Sequence, residues 1–310
     1  MQLQLFRIDL NLKIVLKYFM RSSMKFLAWN IRFGGIGPGR FDYDPAESPK
    51  CVKAVARAIM SQEADVVVLT EYRDAPETGG VIKASLESRG YQSHVSNPGL
   101  DKNGTLIAFS EHVREHYDIH VADNFRIDKA QLDEIYYYRW LDLKLVSING
   151  GEDLEVLGIH VPDVKTQDGD GKMQQTLEYK RMFWETLIQF GQEKMAREEN
   201  SVILGDFNTG LNTVDKEPGA GDFYLSACMQ KFLELRDAHG RKWVDAWRKF
   251  HRRQSQVDYT WYMPGGKGFR LDYAFLSPTV ADKLKAVRYS SLERESGLSD
   301  HSMLIVELTV

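Results

Sequence analysis

Cysteine is scarce in this sequence. Cys51 and Cys228 are the only two among 310 residues, and they form no CxxC pair. This excludes a disulfide framework and a structural zinc site as the features that organise the fold, and it favours a reducing, cytoplasmic setting. Proline is also infrequent, with 9 residues, and no Pro- or Ser-rich linker, internal repeat or low-complexity tract marks a domain boundary.

A large excess of one charge is missing too. The 40 Lys and Arg residues face 44 Asp and Glu residues, which gives a formal net charge of −4. Such a chain has no global positive field, so a polyanion would have to be bound by a local patch or a metal ion. The densest basic segment is 248–253, RKFHRR. We interpret it as an exposed helix end, with contact to a nucleic-acid backbone as the alternative.

Long uncharged apolar runs are absent as well. Residues 1–23 are rich in apolar side chains, but charged residues interrupt them, so no run approaches the ~18 residues of a membrane span. The unbroken apolar core and cleavage site of a signal peptide are not evident either. We predict that residues 1–23 form an extension outside the core and that the folded domain occupies residues 24–310. We also expect a monomer with no stable membrane insertion.

Short apolar runs with β-branched residues recur along the chain and predict many strands. The predicted strands are Lys25–Ile31, Asp65–Thr70, Thr105–Phe109, Tyr136–Leu145, Leu154–His160, Ser201–Leu204, Asp258–Tyr262, Phe269–Leu276 and Met303–Leu308. The predicted helices are Pro49–Ser61, Val81–Ser88, Gln174–Arg197, Asp222–Leu235 and Pro278–Lys285. We expect Lys180 and Trp184, on one of these helices, to pack against a sheet. Many strands with helices between them predict a layered α/β protein.

Polar residues gather where several apolar runs end, which is where binding crevices form on sheet scaffolds. These candidate site residues are Asn30, Glu71, Asp206, Asn208, Asp272, Asp300 and His301. Each alone has an ordinary structural explanation, such as a turn, a solvated loop start or a strand cap. Asp272 differs, because an acid within an apolar strand needs a partner such as a histidine. The combination favours a functional site.

The acids among these residues suggest a metal ion. If Glu71, Asp206 and Asp300 converge, each pair of charges at about 4 Å repels by ~4 kcal/mol at an effective dielectric constant of 20. Such repulsion requires a bound cation or raised pKa values. Oxygen ligands without cysteine favour a hard ion, Mg²⁺ or Mn²⁺, over zinc.

The motifs along the chain resemble those of the endonuclease/exonuclease/phosphatase superfamily, which includes exonuclease III and deoxyribonuclease I. In order, they are WNIR, LTE, NGTLIAFS, GIHV, GDFN, DAWR, YTWY, RLDYAFLS and LSDH. The resemblance covers essentially the whole chain after Met24. It implies a four-layer α/β/β/α sandwich with two packed mixed β-sheets flanked by helices, a divalent metal ion, and hydrolysis of a phosphate ester.

The resemblance also implies roles for the site residues. Glu71 would bind the metal directly, Asn30 would supply an amide oxygen or orient Glu71, and Asp300 would assist the same ion or a second one. Asp206 would orient or deprotonate the attacking water, and Asn208 would fix that water or a phosphate oxygen. His301, oriented by Asp272, would bind the phosphate or transfer a proton.

The presence of a histidine at position 160 distinguishes two groups of members within this family. Its position is that of a histidine that serves as general acid in deoxyribonuclease-like and sphingomyelinase-like members, whereas exonuclease III-like enzymes use a nearby tyrosine. Val161-Pro162 departs from the longer polar stretch that is common there. A buried histidine with satisfied hydrogen bonds is the alternative.

Two further residues could contact the substrate. Arg139 could direct its guanidinium at a phosphate, and Trp261 could stack on a base, although an edge arginine and a core aromatic are the ordinary alternatives. The leading hypothesis is a metal-dependent phosphodiesterase or nuclease that acts on DNA. The alternatives are an enzyme for a smaller phosphate ester (lipid headgroup, inositol phosphate or nucleotide) and a non-catalytic binding module on the same fold.

Overall fold

The computed structural model describes residues 23–35, 48–100, 102–122, 134–165, 170–252 and 258–309. Apart from Ser23, the extension at residues 1–23 lies outside them, so its position stays a prediction. Ser23 is the first residue of β1, one residue before the expected start of the folded domain. Among the described residues, no helix is both long and apolar enough to cross a membrane. Cys51 and Cys228 are both free thiols.

Two six-stranded mixed sheets form the centre of the molecule. The first sheet has the order β13-β14-β1-β2-β4-β3 and contains β1 (Ser23–Asn30), β2 (Val66–Tyr72), β3 (Gln92–Val95), β4 (Gly104–Phe109), β13 (Leu284–Ser290) and β14 (Met303–Thr309). The second sheet has the order β5-β6-β7-β8-β12-β9 and contains β5 (Tyr117–Val121), β6 (Trp140–Ser147), β7 (Leu154–His160), β8 (Ser201–Asp206), β9 (Val244–Asp245) and β12 (Asp272–Leu276). A separate hairpin joins β10 (Trp261–Tyr262) to β11 (Gly268–Phe269).

Helices cover the outer faces of both sheets. The longer ones are α1 (Ser48–Ser61), α2 (Gly79–Glu87), α5 (Asp170–Ala196) and α6 (Ser226–Leu233). Shorter helical segments are α3 (Glu111–Arg114), α4 (Glu134–Tyr137), α7 (Ala246–Phe250), α8 (Pro278–Ala281) and α9 (Leu292–Glu295). Residues Arg32–Gly35 form a turn in which three consecutive residues have positive φ.

The apolar side chains of the strands point alternately to the two faces of each sheet, and they form three apolar layers. Phe26 and Ala28 of β1 face Val202 and Leu204 of β8 in the core between the sheets. The intervening residues of the first sheet pack on α1 and α2, and those of the second sheet pack on α5 and α6. Because side chains in a strand point alternately to opposite faces, a sheet buried on both sides reads as a continuous apolar run. The predicted four-layer sandwich is confirmed.

Several predicted element boundaries are wrong. The strand predicted at Tyr136–Leu145 begins only at Trp140, because residues 134–137 form α4. The helix predicted at Pro278–Lys285 ends at Ala281, and the chain then enters strand β13. The strands predicted at Asp258–Tyr262 and Phe269–Leu276 are divided between the hairpin and β12.

Buried ion pairs connect Arg270, just before β12, with the segment that follows β8 and with β9. The Arg270 guanidinium is fully buried and binds Asp215 and Asp245, with Nε at 2.7 Å from Asp215 Oδ1. Arg248 contacts the same two carboxylates, and Lys249 Nζ donates to Asp282 Oδ1 at 2.9 Å. Arg248 is therefore paired with buried carboxylates, whereas Lys249 pairs with the exposed Asp282 at the surface. Phe250, the last residue of α7, and Arg252 are exposed, and Arg253 lies outside the described residues.

Candidate active site

Parallel strand pairs bring the polar strand ends together. β1 and β2 are parallel, so Asn30 and Glu71 lie at the same edge of the first sheet. β7 and β8 are parallel in the second sheet, where His160 is the register partner of Asp206. β12 runs antiparallel to β8, and its first residue, Asp272, lies opposite Asp206. The two edges meet at one end of the sandwich.

Asp206 is the centre of the resulting cluster. Its side chain is 1% exposed, and Oδ2 accepts a hydrogen bond from Asn30 Nδ2 at 2.9 Å. The same oxygen lies 3.6 Å from His160 Nε2 and 3.8 Å from His301 Nε2. The Asn208 backbone N–H donates to Oδ1 at 2.9 Å. The site therefore joins groups from both sheets around one carboxylate.

His301 is fixed by a buried acid, as the sequence predicts. His301 Nδ1 lies 2.9 Å from Asp272 Oδ2. Burial by itself lowers the pKa of His301, but the charges of Asp272 and Asp206 raise it to about 10. At neutral pH the imidazole is therefore positively charged, with a proton on each ring nitrogen, and Nδ1 donates to Asp272.

His160 has the opposite character. Burial, together with the charges of Arg139 and His301, lowers its pKa well below the usual value, so its imidazole is neutral at neutral pH. Arg139 Nη1 is 3.5 Å from His160 Nε2, and Asn208 Nδ2 is 3.1 Å from the same atom. Asn103 Oδ1 lies 3.4 Å from Nδ1. A protonated general acid at this position would require a nearby negative charge, such as a bound phosphate.

Arg139 borders the cluster and is itself buried. Its guanidinium lies 3.7 Å from Asp163 Oδ1, and its Nε is buried without a hydrogen-bond partner among the described residues. A guanidinium beside a buried histidine can bind a phosphate oxygen through two hydrogen bonds.

Glu71 and Asp300 form the acidic rim. Glu71 has the left-handed backbone conformation, with φ 52°, and Oε1 lies 3.9 Å from His160 Nε2. Non-glycine residues adopt this conformation rarely, and it is concentrated at functional sites. Burial raises the pKa of Glu71, and the charge of Asp300 acts in the same direction. Asp300 Oδ2 accepts from Trp261 Nε1 at 3.2 Å, so Trp261 is a half-buried residue of this rim rather than a core aromatic.

Short polar contacts hold the motif segments in register. Ser299 Oγ donates to the Asn30 carbonyl at 2.6 Å and accepts from the His301 N–H at 3.1 Å. Trp29 Nε1 donates to the His301 carbonyl at 3.0 Å. The first and last strands of the chain are thus tied together beside the cluster.

The predicted site residues thus lie at one end of the molecule. Asn30, Asp206, Asn208, His160, Asp272 and His301 are linked by direct contacts, and Glu71, Arg139, Asp300 and Trp261 border them. Sequence reasoning assigned no role to Asn103, the first residue of the NGTLIAFS motif, and it did not identify the contact of Lys180 with the loop after β8. No motif indicates a lysine on a distant helix that binds a backbone carbonyl.

The donor chemistry fits a hard divalent cation at the acidic rim. Glu71 and Asp300 offer carboxylate oxygens, and Asn30 Oδ1 lies 3.0 Å from the Arg32 N–H, which leaves one lone pair. Asp206, Asp272 and His301 also have atoms within 4.8 Å of one another and could hold a metal ion. However, Asp272 Oδ2 and His301 Nδ1 already bond each other, and a protonated imidazole repels a cation. The rim is therefore the better match.

Comparisons with known proteins show the family and the fold. The model of the Endonuclease/Exonuclease/phosphatase family matches residues 27–301. No curated protein sequence matches the chain significantly. An AP endonuclease from Archaeoglobus fulgidus is similar in structure, with a TM-score of 0.66, 20% identity, and coverage of 93% of this chain and 100% of that chain.

Two other solved structures are similar. For the 3'-5' exonuclease NExo from Neisseria meningitidis, the TM-score is 0.65 at 20% identity, with 93% and 100% of the two chains covered. For a truncated TDP2 from Caenorhabditis elegans, the TM-score is 0.62 at 19% identity, and the match covers 93% of this chain and 98% of that chain. At such identities these likenesses show a shared fold.

Proposed function

This chain belongs to the Endonuclease/Exonuclease/phosphatase family, and from that premise we propose that it is a divalent-metal-dependent hydrolase of phosphate esters. The contacts of Asp206 support the proposal most directly. Its Oδ2 atom lies 2.9 Å from an amide donor and less than 4 Å from two imidazoles. A buried carboxylate with these neighbours is suited to hold and deprotonate a water molecule next to a bound phosphate.

Asp206 is proposed as the general base. Burial and the charge of Asp272 raise its pKa to about 7, against the opposing effects of His301 and the Asn30 hydrogen bond. A base with a pKa near the working pH combines a sufficient ionised fraction with a useful affinity for the proton. Asn208, whose amide lies beside His160, would orient the water or a phosphate oxygen.

The cationic groups are proposed to bind the phosphate. The protonated His301, held by Asp272, and the guanidinium of Arg139 would offset the negative charge that increases in the transition state. Nε2 of the neutral His160 accepts from Asn208 and Arg139 in the free site, and it would become a donor once the bound phosphate raises the pKa of His160 towards that of a general acid. Glu71 and Asp300, with Asn30, would hold Mg²⁺ or Mn²⁺, which when bound supplies charge neutralisation for the phosphate oxygens.

DNA is the proposed substrate. The rim carries Trp261, and the adjoining hairpin exposes Tyr262 and Met263, each 38% accessible. Aromatic faces beside a phosphate site can stack on bases. A smaller phosphorylated substrate is the alternative, and the ion pair of Arg248 with the buried Asp215 favours it because it engages one cation of the densest basic segment. A monomeric, cytoplasmic enzyme stays the prediction from the sequence.

The decisive experiment removes the central carboxylate. We expect Asp206→Ala to remain folded and to lose at least about a hundredfold in kcat, because the general base is gone. Substrates should include a bis-aryl phosphodiester, supercoiled plasmid, abasic-site duplex, single-stranded RNA and inositol phosphates, each with Mg²⁺ and with EDTA. Asp118→Ala, at an exposed carboxylate of β5, is the matched control.

Three results would contradict the proposal. Near-normal turnover by Asp206→Ala would remove its assigned role. Activity that is insensitive to EDTA would contradict the metal requirement. A wild-type protein that hydrolyses no ester would favour a binding module on this fold instead.

A further inference from the structure

Lys180 is a buried cation without a role in the proposed reaction. It lies on α5 and is 2% exposed, among the largest fully buried side chains of the described chain. Its Nζ atom donates to the backbone carbonyl of Asn208 at 2.5 Å. Lysine is rarely buried so completely, because removing its charge from water is unfavourable unless a strong partner compensates.

The partner of Lys180 explains why this contact matters. Asn208 has φ 45°, a left-handed conformation that non-glycine residues adopt only when their surroundings hold it. This conformation turns the Asn208 N–H towards Asp206 Oδ1, at 2.9 Å. It also places Nδ2 3.1 Å from His160 Nε2 and 3.0 Å from the Val161 carbonyl. The orientation of the Asn208 amide therefore depends on the backbone that Lys180 holds.

A second contact from α5 anchors the next residue. Trp184, four residues beyond Lys180 on the same helix face, donates from Nε1 to Thr209 Oγ1 at 3.3 Å. Loss of Lys180 alone would thus leave the loop attached to α5 through Trp184. The expected consequence is a shift of the Asn208 peptide rather than detachment of the loop.

We propose that Lys180 is a positioning residue for phosphate-ester hydrolysis, which fixes the left-handed turn at Asn208 and thereby aims the Asn208 amide at the reacting groups. The inference rests on the proposed function and adds a residue that no motif marks. Burial lowers the pKa of Lys180 to about 8, against the opposing charges of Asp163 and Asp206. The ammonium is therefore mostly protonated at pH 7 and is a charge-assisted donor to the carbonyl.

A double-mutant cycle tests the proposal. Lys180→Met keeps the length of the side chain and removes the donor, and Lys172→Met, an exposed lysine of the same helix, is the matched control. We expect Lys180→Met to reduce kcat on a bis-aryl phosphodiester by about ten- to a hundredfold, because a small misplacement of an active-site group is enough for such losses. The calorimetric Kd for Mn²⁺ should stay within about twofold of the wild type, since the proposed metal ligands Glu71, Asp300 and Asn30 do not depend on the Asn208 amide in this scheme.

Comparison with Asn208→Ala separates positioning from a general structural role. If Lys180 acts through Asn208, the Lys180→Met/Asn208→Ala double variant should be no slower than Asn208→Ala alone. Multiplicative losses in the double variant, or a folded Lys180→Met with kcat within about threefold of the wild type, would overturn the proposal. If Lys180→Met does not fold, Lys180→Leu, which also lacks a donor, replaces it in the same cycle with the same criteria. An inactive wild-type protein would instead refute the proposed function, and the positioning role with it.

Discussion

Two histidines of the same cluster have opposite protonation states. His301 has its pKa raised to about 10 because Asp272 and Asp206 face it, whereas His160 has its pKa lowered by burial and by Arg139. Both imidazoles approach Asp206 Oδ2 within 4 Å. The free site thus contains one cationic and one neutral imidazole around one carboxylate, a division that the sequence pattern alone does not reveal.

The pKa of His301 predicts a pH dependence of stability. Because its pKa is higher in the folded state than the ~6.5 of an unfolded chain, protonation stabilises the fold fully below about pH 6.5. This contribution is lost as the pH rises towards 10. The difference in free energy of unfolding between the wild type and His301→Gln should therefore decrease between pH 6 and pH 10, by at least about 1.4 kcal/mol, the equivalent of one pKa unit.

Denaturant unfolding at pH 6, 8 and 10 measures this difference. His120→Gln, at an exposed position of β5, is the control. A difference that stays constant or increases with pH would show that the Asp272–His301 pair does not hold the proton in the folded state.

The sequence predicts most of the individual residues of the candidate site but not the residues that position them. Asn30, Asp206 and His301 stand in short motifs, so their type and order identify them. Lys180 stands in no such motif and contacts the site through the carbonyl of a residue distant in sequence. Asn103 begins the motif NGTLIAFS, but only the tertiary structure shows its contact with Nδ1 of His160. Arg248 illustrates the reverse case, since a basic run in the sequence becomes an internal ion pair in the fold.

Central strands were predicted well, and edge strands were not. Leu154–His160 was predicted with the bounds that the structure has, because β7 is buried on both faces and forms an apolar run. β3 and β5, QSHV and YDIHV, lie at the edges of their sheets and contain polar, partly exposed residues, so they lack that run. β13 lies at the other edge of the first sheet; its first two residues fall in the predicted helix Pro278–Lys285, and the rest of the strand is not predicted.

The β6–β7 pair contains a buried acid that should destabilise the protein. Both carboxylate oxygens of Asp142 lack a hydrogen-bond donor among the described residues. Burial and the neighbouring carboxylate of Glu155 raise the pKa of Asp142 well above its usual value. We expect Asp142→Asn to increase the free energy of unfolding at pH 7 by about 1 to 3 kcal/mol, because the aspartic acid must either bury a charge without a donor or take up a proton on folding, and asparagine does neither.

This gain should depend on pH. As the pH falls towards 4, Asp142 becomes protonated in the folded and the unfolded chain, so the advantage of the asparagine should disappear. Urea unfolding at pH 7 and pH 4 tests both points, with Asp118→Asn on β5 as the exposed control. A variant that is less stable than the wild type at pH 7 would contradict the assignment.

The overall sandwich depends on close contact between its two sheets at Gly158. A Cβ atom there would lie 2.9 Å from Val68 Cγ1 and 3.0 Å from Thr105 Cγ2 in the opposite sheet. Gly158→Ala should therefore lower the free energy of unfolding by about 1 to 3 kcal/mol through overpacking, as measured by denaturant unfolding. Gly171→Ala, in open space on α5, should be neutral or stabilising, because alanine favours helices. If Gly158→Ala lowered the free energy of unfolding no more than Gly171→Ala does, the two sheets would be able to accommodate the added methyl group without penalty.

The hydrogen bond from Asn30 to Asp206 crosses from one sheet to the other, and it has a consequence for the chain as a whole. Each sheet contributes only part of the candidate site: Asn30 and Glu71 lie on the first sheet, and His160, Asp206 and Asp272 lie on the second sheet. A fragment containing either half would be inert even if it folded. A substitution that shifts one sheet relative to the other by about an ångström would therefore abolish the activity while every strand and helix stays intact.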